Sequence, residues 1–232
     1  MNRRALETLA ARGERLAAGL LGGASWSVAG PARRRLAVLL GVIAAGGGLA
    51  GAVTGSHGGV TPDRWPQMLY SAAKVPLLLT VTFGLCVPTF FVLHALLGVR
   101  DDFGRAVRAQ LAAPAVLVLV LAALSPFVAL AYASGLVNDA ALLLNAAVFG
   151  LATLSAQVVH RLHYRPLIAA RSVHRVLARG WLVLYAFVGV QMAWTLRPFV
   201  GSPDAPTTFF RSGAWGNAYE AVWGIAVRAL GG

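Results

Sequence analysis

The chain is short of charge, of acid, of lysine and of cysteine. Only 12% of its 232 residues are charged and 58% are hydrophobic. Soluble domains carry about 25% charge, so the balance argues against a single water-soluble core. Its one cysteine, Cys86, lies within an apolar run, so no intrachain disulfide can form and the redox compartment stays unspecified. Lys74 is the sole lysine beside many arginines, a bias that points to a GC-rich bacterial genome. The acids are eight, and none falls deep in an apolar segment. That argues against a proton- or cation-coupled carrier, whose relay needs an ionisable carboxylate at depth. HExxH, GxSxG and P-loop patterns are missing too. Asp63, Asp101, Asp102, Asp139 and Asp204 fall in loops or at helix ends, and charge compensation by Arg100 and Arg105 accounts for Asp101 and Asp102. No enzyme is expected. A net charge of +12 raises the question of nucleic acid. Yet the arginines cluster in three separated segments, not interleaved with aromatics on one face, so no nucleic-acid partner is expected.

What the chain does have is apolar length. Five runs, Leu36 to Gly55, Ser71 to Leu97, Gln110 to Gly135, Asn138 to His160 and Gly180 to Leu196, are long enough as helices to cross about 30 Å of hydrocarbon. The expected fold is all-α: a polytopic integral membrane protein with about five transmembrane helices plus amphipathic N- and C-terminal helices. Residues 1–35 form a cytoplasmic amphipathic basic segment, 36–197 the transmembrane domain, and 198–232 an external aromatic loop and amphipathic helix. Fifteen basic residues fall in the N-terminal segment and the second-to-third and fourth-to-fifth loops, against five elsewhere. The positive-inside rule then sets the N-terminus in the cytoplasm and the C-terminus outside a bacterial inner membrane. The charged stretch before the first run is too long for a signal peptide, so that run reads as a retained span.

The ends of the chain read as surface elements. Leu6 to Leu21 gathers its leucines on one arc with Arg4, Arg12 and Arg15 opposite, a pattern suited to an interface containing anionic headgroups or to a packing partner. Trp181 and Trp194 should mark the two membrane surfaces of the fifth helix, with Arg197 snorkelling outward and Pro198 ending it. Phe209, Phe210 and Trp215 follow in a Pro- and Gly-rich loop and are candidate interface anchors or docking residues. Asn217 and Glu220 resemble a capping box for a last helix to about Leu230, with Glu220, Gly224 and Arg228 as its polar stripe.

Within the spans, Gly47, Gly51 and Gly55 form two GxxxG steps, a packing face for an internal contact or for a second copy. Gly84 and Pro88 mark an expected bend in the second helix, and a pore there would be lined by Thr82, Thr89, Asn145 or Gln191. The structural alternative is that the proline kink is satisfied by its neighbours and the polar residues join helices. Lys74 is expected to snorkel at the outer end of the second helix. His94, His160 and His163 fall at similar depth and are the candidates for a haem iron or a metal ion. No carboxylate or cysteine accompanies them, so the reading is that no cofactor binds.

The five-span layout, with a cytoplasmic N-terminal segment and a proline-bearing second helix opening on "AAKVPLLL", resembles the bacterial relatives of the Yip1 family of small polytopic membrane proteins, over Ser71 to Trp194. The resemblance implies a non-enzymatic membrane scaffold or organiser and assigns no functional residue. The leading expectation is thus a scaffold, or the membrane subunit of an assembly with other membrane proteins or copies of itself. A channel or facilitator for small or apolar solutes is the alternative, and a b-type haem protein the second.

Overall fold

The structure, a computed structural model, describes residues 32–202 and 206–220, with side chains described from Leu36 onward. The amphipathic segment from Leu6 to Leu21, and Gly224 and Arg228 of the last stripe, lie outside the described residues. The fold is all-α. Its helices are α1 (Ala32–Gly55), α2 (Trp65–Leu96), α3 (Phe103–Ala133), α4 (Asn138–Ala170) and α5 (His174–Leu196). Each is long and apolar enough to cross a membrane, so the chain is a polytopic membrane protein.

The helices run further than the apolar runs alone indicate. α4 has 33 residues, about 50 Å at the α-helical rise, and extends through Arg161 and Arg165 to Ala170. α5 opens at His174 rather than at Gly180. Hydropathy locates only the part in lipid, whereas backbone hydrogen bonding continues past the headgroups. α2 is one helix through both Pro76 and Pro88, and α3 continues through Pro114 and Pro126. Lone prolines remove one backbone bond each, and the remaining ladder keeps the helix going. α2 stops where Gly98 takes φ of +69° and the Val99 N–H turns back to the His94 carbonyl at 2.9 Å, a left-handed glycine cap.

The packing order is not the chain order. α1 packs on both α2 and α3, α4 packs on α3, and α5 packs on α2, while α4 and α5 barely touch. The bundle is therefore an arc, α5–α2–α1–α3–α4, whose two ends are consecutive in sequence. The glycine face of α1 makes the closest seam. A Cβ on Gly51 would stand 2.1 Å from the Ser71 carbonyl oxygen, one on Gly55 2.7 Å from that of Gln67, and one on Gly47 3.3 Å from the Pro76 ring. All three glycines face α2, so this face is used inside the protomer. Glycine alone permits backbones so near.

Along the helix axes, one end of the bundle carries the arginine-rich loops and the other carries the segment after α5. That segment folds back over the helix ends. Lys74 is fully buried beneath it: Nζ donates to the Pro198 carbonyl at 2.8 Å and lies 5.0 Å from the Phe209 ring centroid. Snorkelling is thus not what Lys74 does, because the chain supplies a carbonyl where water would otherwise be needed. Ser71 donates to Phe199 O at 2.6 Å, and the His57 ring nitrogens lie 3.0 Å from the carbonyls of Gly201 and Leu136.

Candidate functional site

Because α4 and α5 do not close on each other, a crevice runs inside the arc. Toward the arginine-rich end it widens to a cavity of about 370 Å³ walled by α2, α3, α4 and α5. Toward the opposite end lies a second of about 480 Å³ to which α1 also contributes. Leu78, Phe149 and Ala193 wall both cavities, so the two are neighbouring parts of one crevice. Leu182, Phe149 and Val190 on its walls are about 40–46% exposed, which places the opening on the lipid side between α4 and α5.

The wall is apolar, and its polar side chains divide by depth. At the end away from the arginines, Asn145 donates to the Tyr132 hydroxyl and to Ala141 O at 2.7 Å, and Thr54 lies 3.3 Å from its carbonyl oxygen. Ser125 donates to Leu121 O at 2.8 Å. Every polar side chain there has a partner. Toward the arginine-rich end the case is reversed. Thr82 and Gln110, each 1% exposed, and His160, 5% exposed, stand in the wall. Thr82 Oγ1, both amide atoms of Gln110 and His160 Nε2 have no hydrogen-bond partner among the described residues. Leaving such a group unpaired costs about 1–3 kcal/mol, and four on the wall of one cavity, three of them on Gln110 and His160, are a feature to be explained. Thr153, Gln157 and His160 recur at four and three residues along α4 and all wall this cavity, so they share the face that looks into the crevice.

Beyond this cavity the bundle is clamped. Asp102, in the turn before α3, is 4% exposed. Its Oδ2 accepts from His174 Nε2 at 3.1 Å and lies 3.7 Å from Arg171 Nη1, and its other oxygen accepts from Arg105. Local charge compensation is only part of its role, since His174 stands 72 residues on, at the start of α5. The His174 ring packs between His94 at 5.9 Å and Tyr164 at 6.0 Å, and Tyr164 in turn lies 5.5 Å from His160. These rings join the clamp to the crevice.

The residues singled out from sequence scatter over this frame. Of the pore set, Thr82 and Asn145 wall the crevice. Gly84, Pro88 and Thr89 lie on the exposed face of α2, away from it. The proline could not line a passage because α2 turns that face to lipid. Gln191 is engaged at the surface, donating to Gly216 O and accepting from the Ala218 N–H, both at 3.0 Å. Trp181 is buried, its ring 4.7 Å from Phe90 and 5.2 Å from Phe83. It is a core residue and not an interface anchor, because α5 has already run seven residues before reaching it. Trp194 carries the Arg197 guanidinium 3.3 Å above its ring, so Arg197 lies flat there. Phe209 meets Tyr70, Phe210 packs near Trp215, and Trp215 is 82% exposed. Asn217 Oδ1 accepts from the Tyr219 N–H at 2.9 Å and its amide donates to Glu220 at 3.2 Å, a helix start without the reciprocal bond of a capping box.

The histidines are not brought together as a trio. His94 donates from Nδ1 to Phe90 O at 2.8 Å and faces His174, His160 faces Tyr164, and His163 donates from Nδ1 to Val159 O at 2.9 Å. Among the described residues no three His, Cys, Asp or Glu side chains form a group that could hold a metal ion. Gln110, His174 and Tyr164 were not legible as site residues. Gln110 stood at the edge of an apolar run and His174 in an apparent loop, where a polar side chain is unremarkable until tertiary packing buries it.

The fold and site together define an all-α polytopic membrane protein with a crevice open to lipid. No family model, curated protein or solved structure matches the chain.

Proposed function

We propose that this protein works by binding, not catalysis: it holds an apolar molecule drawn sideways from the bilayer into the crevice between α4 and α5. The observation that carries this reading is that α4 and α5, though joined by three residues, barely touch and leave two adjoining lined cavities. Both cavities are walled almost wholly by apolar side chains, so the occupant is itself largely apolar. A chain-like molecule fits, and 300–1,000 Å³ is the usual size of a small-molecule site. This is the facilitator alternative narrowed to apolar cargo. The arginine asymmetry supports a bacterial inner membrane with the clamp at the cytoplasmic side.

The test is purification in mild detergent followed by native mass spectrometry. The wild type is expected to retain lipid-sized adducts, and Ala193→Trp, which fills the point where the cavities meet, to lose them while eluting as the same folded species. Equal retention by both proteins would sink the reading.

A scaffold role is the second reading, and a specific observation favours it. Trp215 and Phe210 stand exposed on the segment after α5, an aromatic surface suited to another membrane protein or a second copy. The resemblance to membrane organisers points the same way.

A further inference from the structure

Three of the four unpaired polar atoms, those of Gln110 and His160, sit at one end of the crevice, with Thr82 Oγ1 nearer its middle, and that asymmetry says what kind of molecule it holds. We infer that the ligand is an uncharged long-chain amphiphile, bound with a hydroxyl- or carbonyl-bearing head against Gln110, Gln157 and His160 and with its chain running past Thr82 and Phe149 toward Asn145. This inference rests on the proposed function and adds the head chemistry and the direction of the chain.

Length comes first. Along α4 the wall extends from His160 to Leu142, a rise of about 27 Å. That is close to the thickness of the hydrocarbon core, so the path suits a full-length chain. Polarity fixes the orientation. Asn145, Thr54 and Ser125 at one end are already hydrogen-bonded, so an apolar chain end can lie there without stranding them. Gln110 and His160 at the other end have open hydrogen-bonding atoms, buried and beside the cavity. A head with oxygens satisfies them: the Gln110 amide donates to a carbonyl, and its oxygen accepts from a hydroxyl.

Charge selects among heads. Apart from His160, no residue lining either cavity carries an ionisable acid or a basic side chain, apart from the phenol of Tyr185, whose hydroxyl donates to Leu79 O. The arginine next in sequence, Arg161, is exposed. A phosphate or carboxylate drawn into this wall would be desolvated with no arginine or lysine in the lining to pair with it, Arg161 lying near His160 but turned outward, a heavy cost. A glycerol hydroxyl, an ester or a ring carbonyl would not.

The experiment uses the full chain in lipid nanodiscs with two photoactivatable probes sharing the same diazirine-bearing acyl chains, one a diacylglycerol and one the corresponding phosphatidic acid. Labelled peptides are mapped by mass spectrometry. The diacylglycerol probe is expected to label α4 and α5 residues of the crevice and to be displaced by unlabelled diacylglycerol, but not by unlabelled phosphatidic acid. Gln110→Leu should weaken its capture about tenfold, the effect of losing one buried hydrogen-bonding partner, while leaving elution and labelling of outer lipid-facing residues unchanged. If both probes label the crevice equally and compete equally in the wild type, the head assignment is overturned and the crevice reading survives. If neither probe labels it above the outer faces of the helices, the crevice reading itself fails. The wild-type competition decides the matter even if Gln110→Leu does not fold.

Discussion

Two seams of this bundle join long apolar helices and end up opposite in character. Between α1 and α2 the backbones approach until a Cβ on Gly51 would fall 2.1 Å from Ser71 O, whereas between α4 and α5 there is space enough for a ligand. The α4 and α5 spans are somewhat less apolar than those of α1 and α2, but hydropathy alone does not close a seam. In lipid the hydrocarbon surroundings satisfy a leucine as well as another helix does, so helices close only where their shapes let many atoms touch. Glycines every four residues on α1 supply such a shape. α5 brings bulkier side chains to the crevice, Leu182, Tyr185 and Val190 among them, and the gap stays open at no large cost because bilayer lipid or a ligand can enter it.

The comparison can be broken at the tight seam with the largest effect. Gly51→Leu drives its side chain into the α2 backbone, which cannot rotate aside as a side chain would. A loss of about 3 kcal/mol or more is expected, seen as a melting temperature about 10 °C lower in detergent or as failure to elute as one species. Unchanged melting would mean that α1 and α2 are not so close.

Next comes the clamp that fixes where α5 begins. Asp102→Ala removes the acceptor for His174 and Arg105 and the ion-pair partner of Arg171. Arg105 and Arg171 are more than half exposed and add little, so most of the expected loss of about 2 kcal/mol, roughly 6 °C, belongs to the buried His174 contact. The double variant Asp102→Ala, His174→Phe should then cost less than the sum of the two single changes. Strict additivity in thermal unfolding would refute the pairing.

The smallest effect sharpens the comparison from outside both seams. Pro88 and Thr89 face lipid on α2, so Thr89→Ala should move stability by no more than about 0.5 kcal/mol and leave lipid retention unaltered. A change in retained lipid on this substitution would reinstate the Gly84, Pro88 and Thr89 face of α2 as part of the passage.

Legibility followed the kind of force involved. The five helices were readable because burial in hydrocarbon requires long apolar runs with internally satisfied backbone, and that demand is written in consecutive residues. The glycine face was readable as a packing surface, but not its partner. Pro88 misdirected attention, since a proline signals a local backbone effect whether its helix turns that face to lipid or to a cavity. Asp102 seemed explained by the arginines beside it, because the histidine that meets it lies far along the chain.

By itself the sequence determined an all-helical, lipid-crossing chain with its arginines gathered at alternate loops, because hydropathy and charge act on short stretches independently of where the rest of the chain goes. Only the tertiary structure decided that α1 would be the centre of an arc, that α4 and α5 would stand apart, and that Gln110, Gln157 and His160 would share one cavity. Those outcomes depend on which helix faces meet, and contact between residues distant in sequence is set by the shapes of whole helices packing together.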